Sequence, residues 1–172
     1  TETVWRQRSK FNLPCLFFLN KMDRAGADIE KSMLSIRKRL ATEPALVTTL
    51  LHEQKTIVHL IDKTMIRFEG EHGEEVITQP CDASTWDAVA DQREALLMNI
   101  AEIDETFADM VLADQLPDSD TIWQALRRGT LSGKLCPCFS GSALRNLGVQ
   151  PLMEGIIRLL PSPLDRPASI GY

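Results

Sequence analysis

A short apolar run, Cys15-Leu16-Phe17-Phe18-Leu19, enters from Pro14 and ends directly on the polar tetrapeptide Asn20-Lys21-Met22-Asp23. A strand that is apolar on both faces must be covered on both, which is the condition of a parallel sheet with helices on its two sides. After a polar loop, Asp28 is placed to cap a helix whose apolar residues Ile29, Met33, Ile36 and Leu40 recur at helical spacing, and Glu43-Pro44 ends it. Strand, turn and helix in that order are one step of an α/β sheet. The same order returns near the end of the chain: Leu135 to Phe139, a loop Ser140-Gly141-Ser142-Ala143-Leu144, and a helix from Val149 carrying Leu152, Ile156, Leu159 and Leu160 until Pro161-Ser162-Pro163 stops it.

The stretch between these two steps has a different character. Ala45 to Leu51, Thr56 to Ile61, Thr64 to Phe68 and Glu74 to Thr78 read as strands around a Glu-Gly-Glu-His-Gly turn. One long helix is expected from Ser84 to Leu112, with Trp86, Val89, Arg93, Leu96, Ile100, Ile103, Phe107 and Met110 on a narrow stripe. A shorter helix, capped by Asp118 or Ser119, runs to Arg128 with Ile122 and Leu126 inside. The expected organisation is an α/β domain in two parts, residues 1–43 and 133–161, interrupted by an α+β insert over 44–132. A Pro-rich linker over 162–172 leads to a following domain. The chain opens inside a helical pattern, TETVWRQRSKF, so a trimmed or partly observed chain is expected.

Composition narrows the classes. With 44% hydrophobic residues the chain can bury a sizeable core, and 19 Lys and Arg against 24 Asp and Glu give a net charge of -5. That balance argues against nonspecific nucleic-acid binding by the whole surface, and no sequence-specific nucleic-acid element is present. No apolar stretch approaches the roughly 20 residues of a membrane-spanning helix, so no membrane role is expected. The four cysteines, Cys15, Cys81, Cys136 and Cys138, are too sparse for a disulfide framework; reduced thiols packed in the core are expected, without a metal. His52, His59 and His72 lack ligand spacing, and no catalytic residue is assigned.

The chemistry lies at the ends of the two α/β strands. Asn20-Lys21-Met22-Asp23 follows its strand at the carboxyl edge, where such sheets bind ligands. A carboxylate there can accept from both the N1-H and the exocyclic amine of guanine, whereas adenine would leave it unpaired. The alkyl stem of Lys21 can lie along a base with its ammonium wet, and Asn20 can both tie loops together and reach N7. Taken alone, the tetrapeptide is a solvated turn that chance supplies in roughly one such chain in fifty. Ser142-Ala143-Leu144 changes the weighing, because it also sits between an apolar strand and a helix and offers backbone N-H groups to the base O6.

Phe18 to Arg24, Gly141 to Leu152 and Leu160-Pro161-Ser162-Pro163 together resemble translational GTPases of the elongation factor G family, over nearly the whole chain. The resemblance implies a partial P-loop GTPase domain, a parallel sheet with flanking helices, interrupted by the inserted α+β subdomain. Within the family, Ile103 to Leu112 looks most like the mitochondrial elongation factor G2 branch, the ribosome-releasing factors. This implies ribosome recycling, a mitochondrial matrix location and ribosome recycling factor as a partner; the alternatives are a cytoplasmic location and the translocase branch. A third alternative is a non-catalytic ribosome or partner binding module with vestigial nucleotide loops. The implied ligand is GTP, read by Asn20, Lys21, Met22, Asp23, Ser142, Ala143 and Leu144. No Gly-x4-Gly-Lys-[Ser/Thr] loop and no Asp-x-x-Gly motif occurs in these residues, so magnesium is expected only with those missing phosphate-binding parts, and no GTP turnover is expected from these residues alone. Between Ser84 and Ala113, Asp87, Asp91, Glu94, Glu102, Asp104, Glu105 and Asp109 face a single base, Arg93. Such a face is ordinarily only solvated, and the resemblance implies contact with the stalk proteins of the large ribosomal subunit.

Overall fold

The computed structural model describes residues 2–51, 55–70, 73–113 and 115–165. His52, His72, part of the Glu-Gly-Glu-His-Gly turn and most of the expected linker lie outside them. Helix α1 (Glu2–Lys10) buries none of its residues, in keeping with its mostly polar sequence. Strand β1 (Phe17–Leu19) follows, then α2 (Ile29–Leu40). Asp28 caps α2 by accepting from Lys31 N-H at 2.9 Å, and Ile29, Met33 and Leu40 are buried on its inner face. Next come β2 (Glu43–Leu46), β3 (Thr48–Leu51), β4 (Thr56–His59), β5 (Thr64–Glu69) and β6 (Glu75–Pro80). Helices α3 (Ala83–Ala88), α4 (Ala90–Ala101), α5 (Glu105–Leu112) and α6 (Ser119–Leu131) precede β7 (Leu135–Ser140) and α7 (Val149–Leu159).

Two sheets result. β1, β7 and β2 form a parallel sheet in the order β1-β7-β2, and β3 to β6 form an antiparallel sheet in chain order. The mixed α/β architecture with a parallel sheet and flanking helices is the expected one. β7 is buried at all six positions because it has a strand on each side and helices over it. β1 is only half-buried: among the described residues it is an edge strand, paired with β7 alone. On the helix side, Gly155 of α7 lies so close to β7 that a Cβ would come within 2.2 Å of Phe139 Cζ. Absence of a side chain there sets how near the helix approaches the sheet.

The structure revises two expected elements. Ala45 to Leu51, expected as one strand, is two strands in different sheets. Val47 is the crossing point: its N-H donates to Cys138 O at 2.8 Å in the parallel sheet, and its carbonyl accepts from Leu60 N-H at 2.9 Å in the antiparallel sheet. One continuous extended segment therefore serves both sheets, which periodicity alone cannot reveal. The second revision concerns the helix expected from Ser84 to Leu112, which is three helices. Val89 leaves helical geometry at φ -115°, ψ 9°, and Asp104 starts a new helix as an N-cap, accepting from Phe107 N-H at 3.0 Å. Asp side chains compete for local backbone donors in this way, and the same Asp104 carboxylate is held by Arg128 of α6 at 2.6 Å. The turn lets α5 fold back on α4 and bury Phe107, which a straight helix would carry away from the core.

The apolar interior is one connected cluster. It runs from Met22, Ile29 and Met33 through Ala45, Val47, Ile57 and Leu60 to Leu96, Ile100, Phe107, Ile122, Leu126 and Phe139. Ser140 adds a polar tie between the sheets, since its N-H donates to Thr48 Oγ1 at 3.0 Å and its hydroxyl donates to Thr48 O at 2.9 Å. The antiparallel sheet thus rests on the strand whose end carries the second loop. Among the described residues no helix is long and apolar enough to cross a membrane.

Candidate functional site

β1 and β7 are adjacent and parallel, with Leu19 opposite Ser140, so the segments that follow them emerge side by side at the carboxyl edge. Backbone bonds join these segments at once. Gly141 N-H donates to Leu19 O at 3.0 Å, and Met22 N-H donates to Gly141 O at 2.9 Å. A side chain at Gly141 would put its Cβ 2.1 Å from Leu147 O, so only glycine allows this approach. Met22 is the single buried residue of the first loop and anchors it in the core, while Asn20, Lys21 and Asp23 are exposed.

Asn20 is the hub. Its Oδ1 accepts from Lys21 N-H at 2.8 Å within its own loop and from Ala143 N-H at 3.0 Å across the gap. Lys21 sits in the left-handed region at φ 63°, a conformation that costs a non-glycine residue energy and that the Asn20 bond to its N-H opposes losing. The second loop is a closed turn: Ser142 N-H donates to Leu147 O at 2.9 Å and Leu147 N-H returns to Ser142 O at 3.0 Å. Ser142 is buried, whereas Ala143 and Leu144 are exposed, Leu144 to 90%.

Asp23 faces this turn. A hydrogen bond from Ser142 is the largest influence holding its carboxyl below the ordinary carboxylate range, with smaller help from the charges of Arg145 and Arg24. Arg145 Nε lies 3.9 Å from Asp23 Oδ2 in a solvent-exposed pair. The carboxylate is therefore ionised, acceptor-only and reachable from solvent, beside backbone N-H groups of the neighbouring loop. Among the described residues no group of three or more His, Cys, Asp or Glu side chains is placed to hold a metal ion, and no residue here is assigned to magnesium.

All seven residues expected from the sequence thus lie on two abutting loops. Three neighbours carry no role in the sequence reading. Gly141 permits the loops to touch, Arg145 sits beside Asp23, and Asn146 ties the second loop to the antiparallel sheet by donating from Nδ2 to Gly73 O at 2.9 Å. Asn146 adopts φ 55°, which Asn tolerates better than most residues, and its place directly after Ser-Ala-Leu-Arg was the available signal.

Comparison with known proteins bears on the family and the fold. Residues 1–162 match the family model of the elongation factor Tu GTP binding domain. The chain is 38% identical over its full length to elongation factor G of Fervidobacterium nodosum, and 39% identical over 96% of its length to elongation factor G 2 of Desulfotalea psychrophila. It spans 25% and 24% of those two relatives. A crystal structure of a protein from Thermus thermophilus shares the fold, with a TM-score of 0.80 at 24% identity, over 96% of this chain and 25% of that one. With the family model covering both loops and everything between them, the chain belongs to the elongation factor Tu GTP-binding domain family, and the two relatives it resembles are elongation factors G.

Proposed function

We propose that the two loops read guanine, with Asp23 as the base-selecting carboxylate. The observation that carries this is the Asn20 side chain bonded to Ala143 N-H, which makes one rim of two loops and leaves Asp23 ionised next to it. Asn20 turns its remaining amide donor toward N7, and Lys21 covers the base with its alkyl stem. Ser142 and Ala143 N-H are already engaged by Leu147 and Asn20, so Leu144 supplies the backbone donor for O6. Asp23→Asn in the full protein tests it. The new amide opposes the exocyclic amine of guanine, and the lost charge-assisted bond, about 1.5–3 kcal/mol, weakens GTP by roughly ten- to a hundredfold. Xanthine has a carbonyl at that place, so the variant gains preference for xanthosine triphosphate. A folded variant that keeps the parent's preference for GTP removes Asp23 from the base.

The parent protein, on this reading, is a ribosome-associated GTPase that couples GTP hydrolysis to ribosome recycling in the mitochondrial matrix, together with ribosome recycling factor. Supporting it are the family membership and the likeness of Ile103 to Leu112 to the releasing-factor branch. Translocation is the second reading, favoured by the bacterial relatives being named elongation factor G. Full-length protein added to mitochondrial post-termination ribosomes separates the two: subunit splitting with recycling factor supports the first, and movement of messenger RNA by one codon without splitting supports the second.

A further inference from the structure

The two strands that carry the loops also bring two sulfurs together at their opposite ends. Cys15 lies just before β1, and the pairing of Phe17 with Cys138 places it level with Cys136 on β7. Their Sγ atoms are 3.5 Å apart. Neighbouring strands run about 4.8 Å apart, inside the Cα separation of about 4.4–6.8 Å that a disulfide spans. Thr42 Oγ1 lies 3.3 Å from Cys136 Sγ, within hydrogen-bond reach. Among the described residues Arg8 Nη2 is buried with no hydrogen-bond partner, and its charge acts favourably on the thiolate form of both cysteines.

We propose that Cys15 and Cys136 are a peroxide-reactive thiol pair that closes to a disulfide across the entry ends of β1 and β7. The pair is asymmetric. The two sulfurs share one hydrogen bond in which either can be the donor, so the pair can hold a single proton between them. Cys136 is fully buried whereas Cys15 is only half-buried, so Cys15 is the sulfur that meets the oxidant and Cys136 the one that resolves it. The other two cysteines differ: burial pushes Cys138 well up, and half-buried Cys81 is raised by desolvation.

The chemistry balances with hydrogen peroxide as oxidant. Cys15 thiolate attacks one peroxide oxygen; an S-O bond forms, the O-O bond breaks, and the departing hydroxide takes a proton to become water. The Cys136 thiol then attacks the Cys15 sulfenic acid, so that an S-S bond forms, the S-O bond breaks, and the hydroxyl leaves as water with the Cys136 proton. Two thiols are oxidised and one peroxide is reduced. Closure draws the sulfurs from 3.5 Å to about 2.05 Å and clamps the strands whose far ends hold Asn20 to Asp23 and Ser142 to Leu147. This proposal does not depend on what those loops bind.

Peptide mapping of the 172-residue chain after stoichiometric peroxide, with free thiols blocked by N-ethylmaleimide, tests the pair. The expected product is a cross-linked peptide joining Cys15 to Cys136, lighter by two hydrogens and reversed by dithiothreitol. Cys136→Ser should halt at Cys15 sulfenic acid, trapped by dimedone. Full alkylation of both cysteines under conditions that oxidise glutathione would overturn the proposal, and so would cross-links made only to Cys81, to Cys138 or between chains.

Discussion

Replacing Asn20 separates what that residue does for the loops from what it does for a nucleotide. Asn20→Ala removes the acceptor for Lys21 N-H at 2.8 Å and for Ala143 N-H at 3.0 Å. A typical intramolecular hydrogen bond is worth about 0.5–1.5 kcal/mol net, and both of these are exposed, so water partly replaces the lost acceptor. The sum is about 1–2 kcal/mol, or a drop in midpoint of roughly 2–8 °C for a chain of this size. Asn20→Asp keeps an oxygen for both donors, and its stability should stay within about 0.5 kcal/mol of the parent. The carboxylate has no amide hydrogen for N7, however, and would oppose its lone pair, so GDP affinity of the full protein should fall at least about tenfold. Urea unfolding of both variants and calorimetric titration with GDP measure the two effects. An Asn20→Ala protein as stable as the parent would refute the bridging role. An Asn20→Asp protein with unchanged GDP affinity would refute the base contact.

Two further outcomes follow from other parts of the fold. Glu102, Glu105 and Asp109 are exposed around the start of α5, whereas Asp104 is committed to Arg128 and its capping bond. Charge reversal of these three in the full protein should slow ribosome-stimulated GTP hydrolysis, with the loss shrinking as salt rises; an unchanged rate at low salt would leave this face merely solvated. His59 is buried, and desolvation holds its imidazole below the ordinary 6.5, partly offset by Asp62 with Oδ2 3.4 Å from Nδ1. The unfolded chain therefore binds the proton first as pH falls through 6.5, and stability should decline below that value by up to about 1.4 kcal/mol per pH unit until the folded form titrates. Urea midpoints for the parent and for His59→Gln between about pH 7 and pH 5 check this. An equal slope in both would assign the acid sensitivity to other groups.

Much of the architecture was legible because it rests on local patterns. The apolar runs at Leu16 to Leu19 and Leu135 to Phe139, the Asp28 and Asp118 caps and the stripe on α6 are set by neighbours within a few residues, and the structure follows them. Both loops were visible as well, since each is a polar segment at the end of an apolar strand. Their abutment, the division of Ala45 to Leu51 at Val47 and the turn at Asp104 depend on groups far along the chain. A backbone N-H that donates to Cys138 while its carbonyl accepts from Leu60 has no local signature.

The cysteines show the same division. Their number and spacing spoke only for reduced thiols in a core, and all four are free. That Cys15 meets Cys136, more than a hundred residues away, follows from the parallel pairing of β1 with β7. Residue identity and short-range periodicity decided which segments become strands, helices and loops, because propensity, capping and amphipathic burial act over a turn or two. Only the tertiary structure decided which loop ends share a hydrogen bond and which side chains share a charge, because those contacts depend on the order of strands in the sheet, and that order is chosen by how the whole core can be buried at once.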